Sequence, residues 1–498
     1  MLRDWICHAD YQKSIRKELD LMTSSERSRL SLFKDSLSKL FLLNLDPLLP
    51  IIKPLYSVFG RPSQNQCEIF RSLILMLDRK VYSITRWSQI TASDNIIRML
   101  CGFKPGNVPG LASYYDLLFR IWLSPGKSRK SILKAPYRKP NKKLKANQKM
   151  PCKHAGSVDK LVTHVIKGGK LPDFRPERIL QELLKHCVVE PSAQLGLLGD
   201  LSNFSVAFDG SSFYAGSSHT GAKVCDCRKN GIHNCNCQRH YSDPDAHWGW
   251  DSYREQYFYG DTLFNVVASD SPYDLPIYMR SVQASRHDSV TTVFALGEIK
   301  KLYPDLNIRN LLADGAMDSY AIYKLLKHNG ILPFIPLDKT AKYPQKDLPD
   351  DVIGFTTDGT PICPRGLPYV YWGPSHTRNR LKYRCPLAVR DKRRPINFTC
   401  TCKTISDYGR TIYIKPDDDP RLFPPVPRDT RLFKQTYKRR TSVERGNKRI
   451  FEDYQVEACR SRSSRLRFSM ATFAAINIHL DAWIKHLGIL PDDLGLAA

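Results

Sequence analysis

NIRNLLADGAMDSYAIYKLLKHNGILPFIPL, residues 307 to 337, reads as strand, turn, helix and strand in succession. The apolar residues before Asp314-Gly315 make a short buried strand. Residues 317 to 328 carry a helical apolar period, Gly330 supplies the helix stop, and residues 331 to 337 are apolar enough for a second buried strand. Upstream, NFSVAFDG (203–210) alternates apolar residues up to Asp209-Gly210, as a buried strand does when it carries a carboxylate to the point where the chain leaves the sheet. EQYFYGDTLFNVVAS (255–269) and LPIYMRSVQ (275–283) read as two further strands, the first interrupted near Gly260. His287-Asp288 then opens a helix running to about Tyr303. The order β-β-β-α-β-α-β predicts an α/β layout.

A basic stretch, QTYKRRTSVERGNKRIFEDY (435–454), follows later. On one continuous helix Tyr437, Arg440, Glu444, Lys448 and Phe451 share a face, which places Glu444 among cations and four residues from Lys448. The acids on this helix and at the strand ends are therefore Glu444, Asp209 and Asp314.

Lys plus Arg number 76 and Asp plus Glu 49 in 498 residues, a net charge of +27. Such a surplus repels itself unless a polyanion is the usual partner, and nucleic acid is the default. The opening MLRDWICHADYQK has no signal-peptide core, and the apolar runs near 39–56 and 471–487 are broken by Asp46, Pro47, Pro50, His479 and Asp481. The expectation is a cytoplasmic protein with no membrane segment.

Residues 1–125 read as a helical domain. Helices at about 66–81, 84–91, 93–101 and 111–123 place Arg71, Arg79, Lys80, Arg86 and Arg98 on their polar sides, which suits a helix-turn-helix-like DNA reader. Residues 126–200 follow as a basic linker and a helix at about 175–187. Its Lys127–Lys153 run, with Lys139, Lys142 and Lys143, holds no acid and is interrupted by prolines. Such an arm follows phosphates without reading sequence.

Fourteen cysteines in a reducing compartment point to ligands or buried apolar residues rather than disulfides. Cys225, Cys227, Cys235 and Cys237 form C-x-C-x₇-C-x-C in a loop over 222–247, a soft-ligand set that suits structural Zn²⁺. Cys363, Cys385, Cys400 and Cys402 are a looser second set in a β-rich insertion over 338–434. Four thiolates leave no open coordination position, so neither set is expected in catalysis. Residues after Tyr454 read as a basic turn and an apolar helix, with Phe468, Ala471, Ala475, Ile478 and Ala482 as a stripe that packs on the core or serves a dimer.

VAFDGSSF, LLADGAMDS with its following helix and strand, and YKRRTSVERGNKRIFEDY together resemble the ribonuclease-H-like core of DDE transposases, nearest to those of bacterial insertion sequences. The last passage is similar to that group's tyrosine-arginine-glutamate signature, with Phe451 where the signature continues to a lysine. GRPSQNQCEIFRSLILML and the LCGF and ASYYDLLFRIW passages resemble the helical amino-terminal domain of the same enzymes. The resemblance implies a core split into 201–337 and 435–498, with Asp209, Asp314 and Glu444 as catalytic ligands of Mg²⁺ or Mn²⁺. It also implies Tyr437, Arg440 and Lys448 on phosphates. Its partners would be transposon-end and target double-stranded DNA and a second copy of the chain, and its place the nucleoid. Asp318 is assigned to helix N-terminal electrostatics. Two rivals share the pattern: a nuclease of the same fold that cuts without joining, and a catalytically idle DNA-binding protein.

Overall fold

The computed structural model describes residues 1–2, 4–123, 133–136, 156–172, 175–338, 348–389, 408–459 and 461–488. Strands β1 (Phe204–Tyr214), β2 (His247–Asp251), β3 (Gln256–Ala268), β4 (Pro276–Gln283), β5 (Ile308–Leu312) and β6 (Leu332–Phe334) form one mixed sheet. Its order is β2-β3-β1-β5-β6, with β4 also paired to β3. The first four strands pair antiparallel, and β1, β5 and β6 run parallel. Parallel neighbours need a crossover. Helix α1 (Asp288–Leu302) supplies it between β4 and β5, and α2 (Tyr320–His328) between β5 and β6. The expected α/β order is present, with β2 as an added strand from the end of the cysteine-rich loop.

Two local expectations change. The chain leaves the sheet at Asp209 on one edge only: pairing with β5 ends at Ala207 opposite Leu312, while pairing with β3 continues to Tyr214 opposite Gly260. Gly260 does not interrupt β3. A Cβ there would lie 2.9 Å from the Ala215 nitrogen, so the missing side chain lets β1 close against the strand.

The basic stretch is not one helix. It divides into α3 (Arg431–Lys438) and α4 (Thr441–Lys448), then a wide π-helical turn over Arg449–Asp453. The chain ends in α5 (Ser464–Leu487), which packs against the N-terminal helices Gln66–Asp78 and Lys34–Leu42 as well as against β4. One apolar cluster accordingly runs from Tyr11 to Trp483. Helix α5 is buried on all sides from Arg467 to Leu480, Met470, Phe473, Ile476 and His479 included, so the expected stripe is not a free surface for a dimer along that stretch. The insertion has its own sheet, of Val370–Ser375, Arg380–Arg384 and Thr411–Ile414, over a separate small core around Tyr369, Leu381, Tyr383 and Ile414.

Burial also removes cations from the expected basic face. Arg71 is fully buried with its guanidinium 3.8 Å from the Tyr11 ring centroid, and Arg98 pairs with Glu18 at 3.2 Å. Helix Gln66–Asp78 is buried along nearly its whole length and Arg71 is its one cation, whereas Arg79, Lys80 and Arg86, which follow it, are exposed.

His479 illustrates how α5 is held. Its Nε2 donates to the Pro276 carbonyl at 2.8 Å, and its Nδ1 accepts from the Ser192 hydroxyl, which in turn accepts the Trp483 indole N–H at 2.7 Å. That network fits the neutral ring alone, and burial lowers its pKa from 6.5 to about 4, with Arg449 lowering it further and the Pro276 carbonyl opposing. The unfolded chain takes up a proton below 6.5 and the folded chain does not. Stability is therefore present above 6.5 and lost as pH falls toward 4, by about 1.4 kcal/mol per unit from this group. Urea midpoints measured between pH 7 and 4.5 should fall more steeply for the native chain than for His479→Gln.

Candidate functional site

The register of the parallel strands brings the first two acids together. Ala207 on β1 lies opposite Leu312 on β5, so two residues further along both chains Asp209 comes beside Asp314. Asp209 remains in β1 and is paired with Asn265 on β3. Asp314 has left β5, and its Oδ1 accepts the Ala316 N–H at 3.1 Å, which fixes the carboxylate at the strand's carboxyl end.

Helix α4 lies across β1 and β3. Its approach depends on Gly446: a Cβ there would stand 3.0 Å from Val267 Cγ2. One residue on, Asn447 takes an amide proton from Asn265 onto its Oδ1 at 3.0 Å and donates its own Nδ2–H to Asp209 Oδ2 at 3.1 Å. Both asparagines are buried. Glu444 precedes Asn447 by one turn. Its half-exposed carboxylate is bound by Arg440. Sequence reading missed both asparagines. The available signal was Asn447 three residues after Glu444, one helical turn along the same face.

A fourth acid also reaches this place. Asp288, the first residue of α1, lies against Gly210, where a Cβ would fall 2.9 Å from its Cγ. The crowding registers electrostatically. Burial pushes the Asp209 carboxyl up to about 7, Asp288 and Asp314 push the same way, Arg440 opposes them, and Glu444 adds to the rise. Burial and then Asp314 raise Asp288 to about 6. Acids that repel one another in this way suit a hard divalent cation, which removes the repulsion that the fold imposes. Among the described residues no three of these acids bring oxygens within 4.8 Å of one another.

The remaining predicted residues are placed unevenly. Tyr437 stacks on Phe433, with ring centroids 5.8 Å apart, and Phe433 packs on Phe334 of β6. Lys448 does not pair with Glu444. It is exposed, 3.8 Å from Glu452, and Phe451 beyond it packs edge-on against Phe213. Neighbouring cations act as clamps instead: Arg439 on Asp270, Arg445 on Asp274 and Arg449 on Asp481. Asp318 is not a helix-end charge. Its buried carboxylate holds Arg421 at 2.6 Å and accepts the Asp338 N–H, while Ser319 caps α2. Lys139, Lys142 and Lys143 lie outside the described residues.

The cysteine loop is compact. Cys225 and Cys235 have sulfurs 3.6 Å apart, Cys227 and Cys237 3.5 Å, and all four lie within 4.8 Å of one another. This is a group able to hold a metal ion. It sits beside a small sheet in which Arg239–His240 pairs on one edge with Ala222–Lys223 and on the other with Leu133–Lys134. In the second set Cys363 is buried and Cys385 partly so, and Cys400 and Cys402 lie outside the described residues.

Three antiparallel strands continued by two parallel ones through helices, with acids at the carboxyl end of the central pair, define a ribonuclease-H-like fold. Residues 206–478, more than half of the chain, match the model of the transposase DDE domain. The chain belongs to that family of DDE transposases. No curated protein and no solved structure gave a match.

Proposed function

We propose that this protein binds the terminal inverted repeats of its own element, cuts a strand at each end and joins the freed 3′-OH to target DNA, with Asp209, Asp314 and Glu444 as the catalytic acids. The observation that carries this reading is the strand register that sets Asp209 beside Asp314 beneath the helix bearing Glu444. Mg²⁺ or Mn²⁺ held by these acids would make the attacking oxygen more nucleophilic and neutralise the leaving oxygen of an in-line displacement. Asn447 fixes which Asp209 oxygen faces the site, because Oδ2 is already engaged. Arg440 carries a planar fork of donors suited to a phosphate and stands between Tyr437 and Glu444. Exposed Lys448, and Lys139, Lys142 and Lys143 of the arm, would hold backbone phosphates further out. Paired processing of two ends calls for a dimer on DNA, with residues 1–125 contributing to end recognition.

Incubating the full chain with Mg²⁺, pre-cut ends bearing the repeats that flank its gene, and a target plasmid should give joined products. Cleavage without joining would establish the nuclease rival. Binding without either would establish the idle DNA-binding protein.

Zinc in the first cysteine set is part of this reading. Metal analysis of the purified chain should find zinc that Cys225→Ser/Cys237→Ser loses, together with protection of the 222–247 loop from proteolysis. Unchanged zinc content in that variant would exclude the assignment.

A further inference from the structure

We infer that Asp288 is a fourth metal-holding carboxylate of the site formed by Asp209 and Asp314; this rests on the catalytic reading above. Three separate elements deliver these acids: strand β1, the turn after β5, and the first residue of α1. The approach of Asp288 is built into the backbone. It lies where a side chain at position 210 would go, and glycine follows Asp209 there, so the space beside Asp209 is filled by another residue's carboxylate. The helix N-terminus alone does not account for its position. His287 is the N-cap of α1, accepting the Ser289 N–H on its ring nitrogen, and Asp288 lies one residue inside. Among the described residues the Asp288 carboxylate makes no hydrogen bond and no ion pair.

Charge balance points the same way. Asp288, Asp314 and Glu444 all act on Asp209, and among the described residues Arg440 is the cation that opposes them, since Arg439, Arg445 and Arg449 are committed to other acids. An acid needed only for helix electrostatics gains nothing by facing two other acids, because like charges at close range cost stability. A carboxylate that completes an oxygen cage for a divalent cation does gain. Mg²⁺ and Mn²⁺ both accept several such oxygens, and Asp288 would supply one from the side opposite Glu444's helix.

The test is a Mn²⁺ titration, by calorimetry, of the DNA-free full chain and of Asp288→Asn, Gly210→Ala and Asp209→Asn, alongside metal-free thermal unfolding of each. Asp288→Asn should weaken Mn²⁺ binding by about 10- to 100-fold while the metal-free variant melts no lower than the native chain. Gly210→Ala should weaken binding similarly with every acid still present, because its methyl displaces Asp288. Should Gly210→Ala fail to fold, the isosteric Asp288→Asn decides alone. Native-like Mn²⁺ binding by Asp288→Asn, with Asp209→Asn defective, would overturn this inference and leave the triad standing. Native-like binding by both would overturn the triad as well. A lowered metal-free melting temperature with unchanged Mn²⁺ affinity would assign Asp288 to helix electrostatics instead.

Discussion

Asp209→Asn is expected to bind the element's end DNA as the native chain does and to lose strand cleavage in Mg²⁺ by about 1,000-fold or more, a loss of about 4 kcal/mol in transition-state stabilisation. The substitution keeps the size of the side chain, so β1 and its pairing with Asn265 should persist. It also removes one of the charges that crowd the site, so the metal-free variant should be at least as stable as the parent at pH 8. The sign follows from the raised carboxyl. Asp209 titrates at about 7 in the fold against 3.8 ordinarily, so its contribution is most favourable below 3.8 and is lost as pH rises through 7. Glu444→Gln should have a similar catalytic effect, with an added one: Arg440 loses the partner that holds it. Gel-shift and cleavage assays on the same DNA separate the two readouts. Cleavage surviving in either variant would remove the basis for a three-acid site.

Arg467→Met is expected to destabilise the fold by about 3–5 kcal/mol, the usual consequence of leaving buried charge without its counter-charge. Arg467 lies in the first turn of α5 and is fully buried. It pairs with Asp261 of β3 and, at 2.7 Å, with Asp243 from the cysteine-rich segment, and it donates to the Ser461 carbonyl. Burial raises Asp261 to about 6 even with Arg467 opposing it and Asp243 adding to the rise. Without the arginine Asp261 would favour the protonated form more strongly. The penalty should therefore be largest near pH 8 and shrink as pH falls toward 5, because protonated acids need no counter-charge. Adding Asp243→Asn and Asp261→Asn to the variant should recover much of the loss, since all three charges then leave together. Urea unfolding at the two pH values measures both effects. A cost below about 1 kcal/mol would mean that Arg467 reaches solvent.

These two residues show what kind of information the chain carries openly. Asp209 sits in an alternating apolar run ending at a glycine, and Asp314 ends a strand before a helical period. Periods of two and 3.6 residues are local properties, and they sufficed for the strand and helix order. Arg467 belongs to a visibly basic turn and reads as surface. Its burial depends on Asp243 and Asp261, more than 200 positions away.

The same division runs through the site. Gln435–Tyr454 was legible as a basic helical stretch carrying Glu444, yet a single face through Tyr437, Arg440, Glu444, Lys448 and Phe451 required an unbroken helix. The break after Lys438 and the wide turn from Arg449 rotate its two ends separately, so Lys448 faces solvent and Phe451 enters the core. Arg439, Arg445 and Arg449 became clamps because acids on other elements reach them.

The sequence by itself determined the class of fold, the positions of Asp209, Asp314 and Glu444, the cysteine spacing and the polyanion-seeking charge, because each is written in residue type and short-range period. Only the tertiary structure decided that Asn447 would hold Asp209, that Asp288 would stand beside Gly210, that Arg71 and Arg467 would be buried, and that α5 would be enclosed. Those facts depend on pairings between elements tens to hundreds of residues apart, where the side chain that fills a space or balances a charge comes from a part of the chain no local pattern connects.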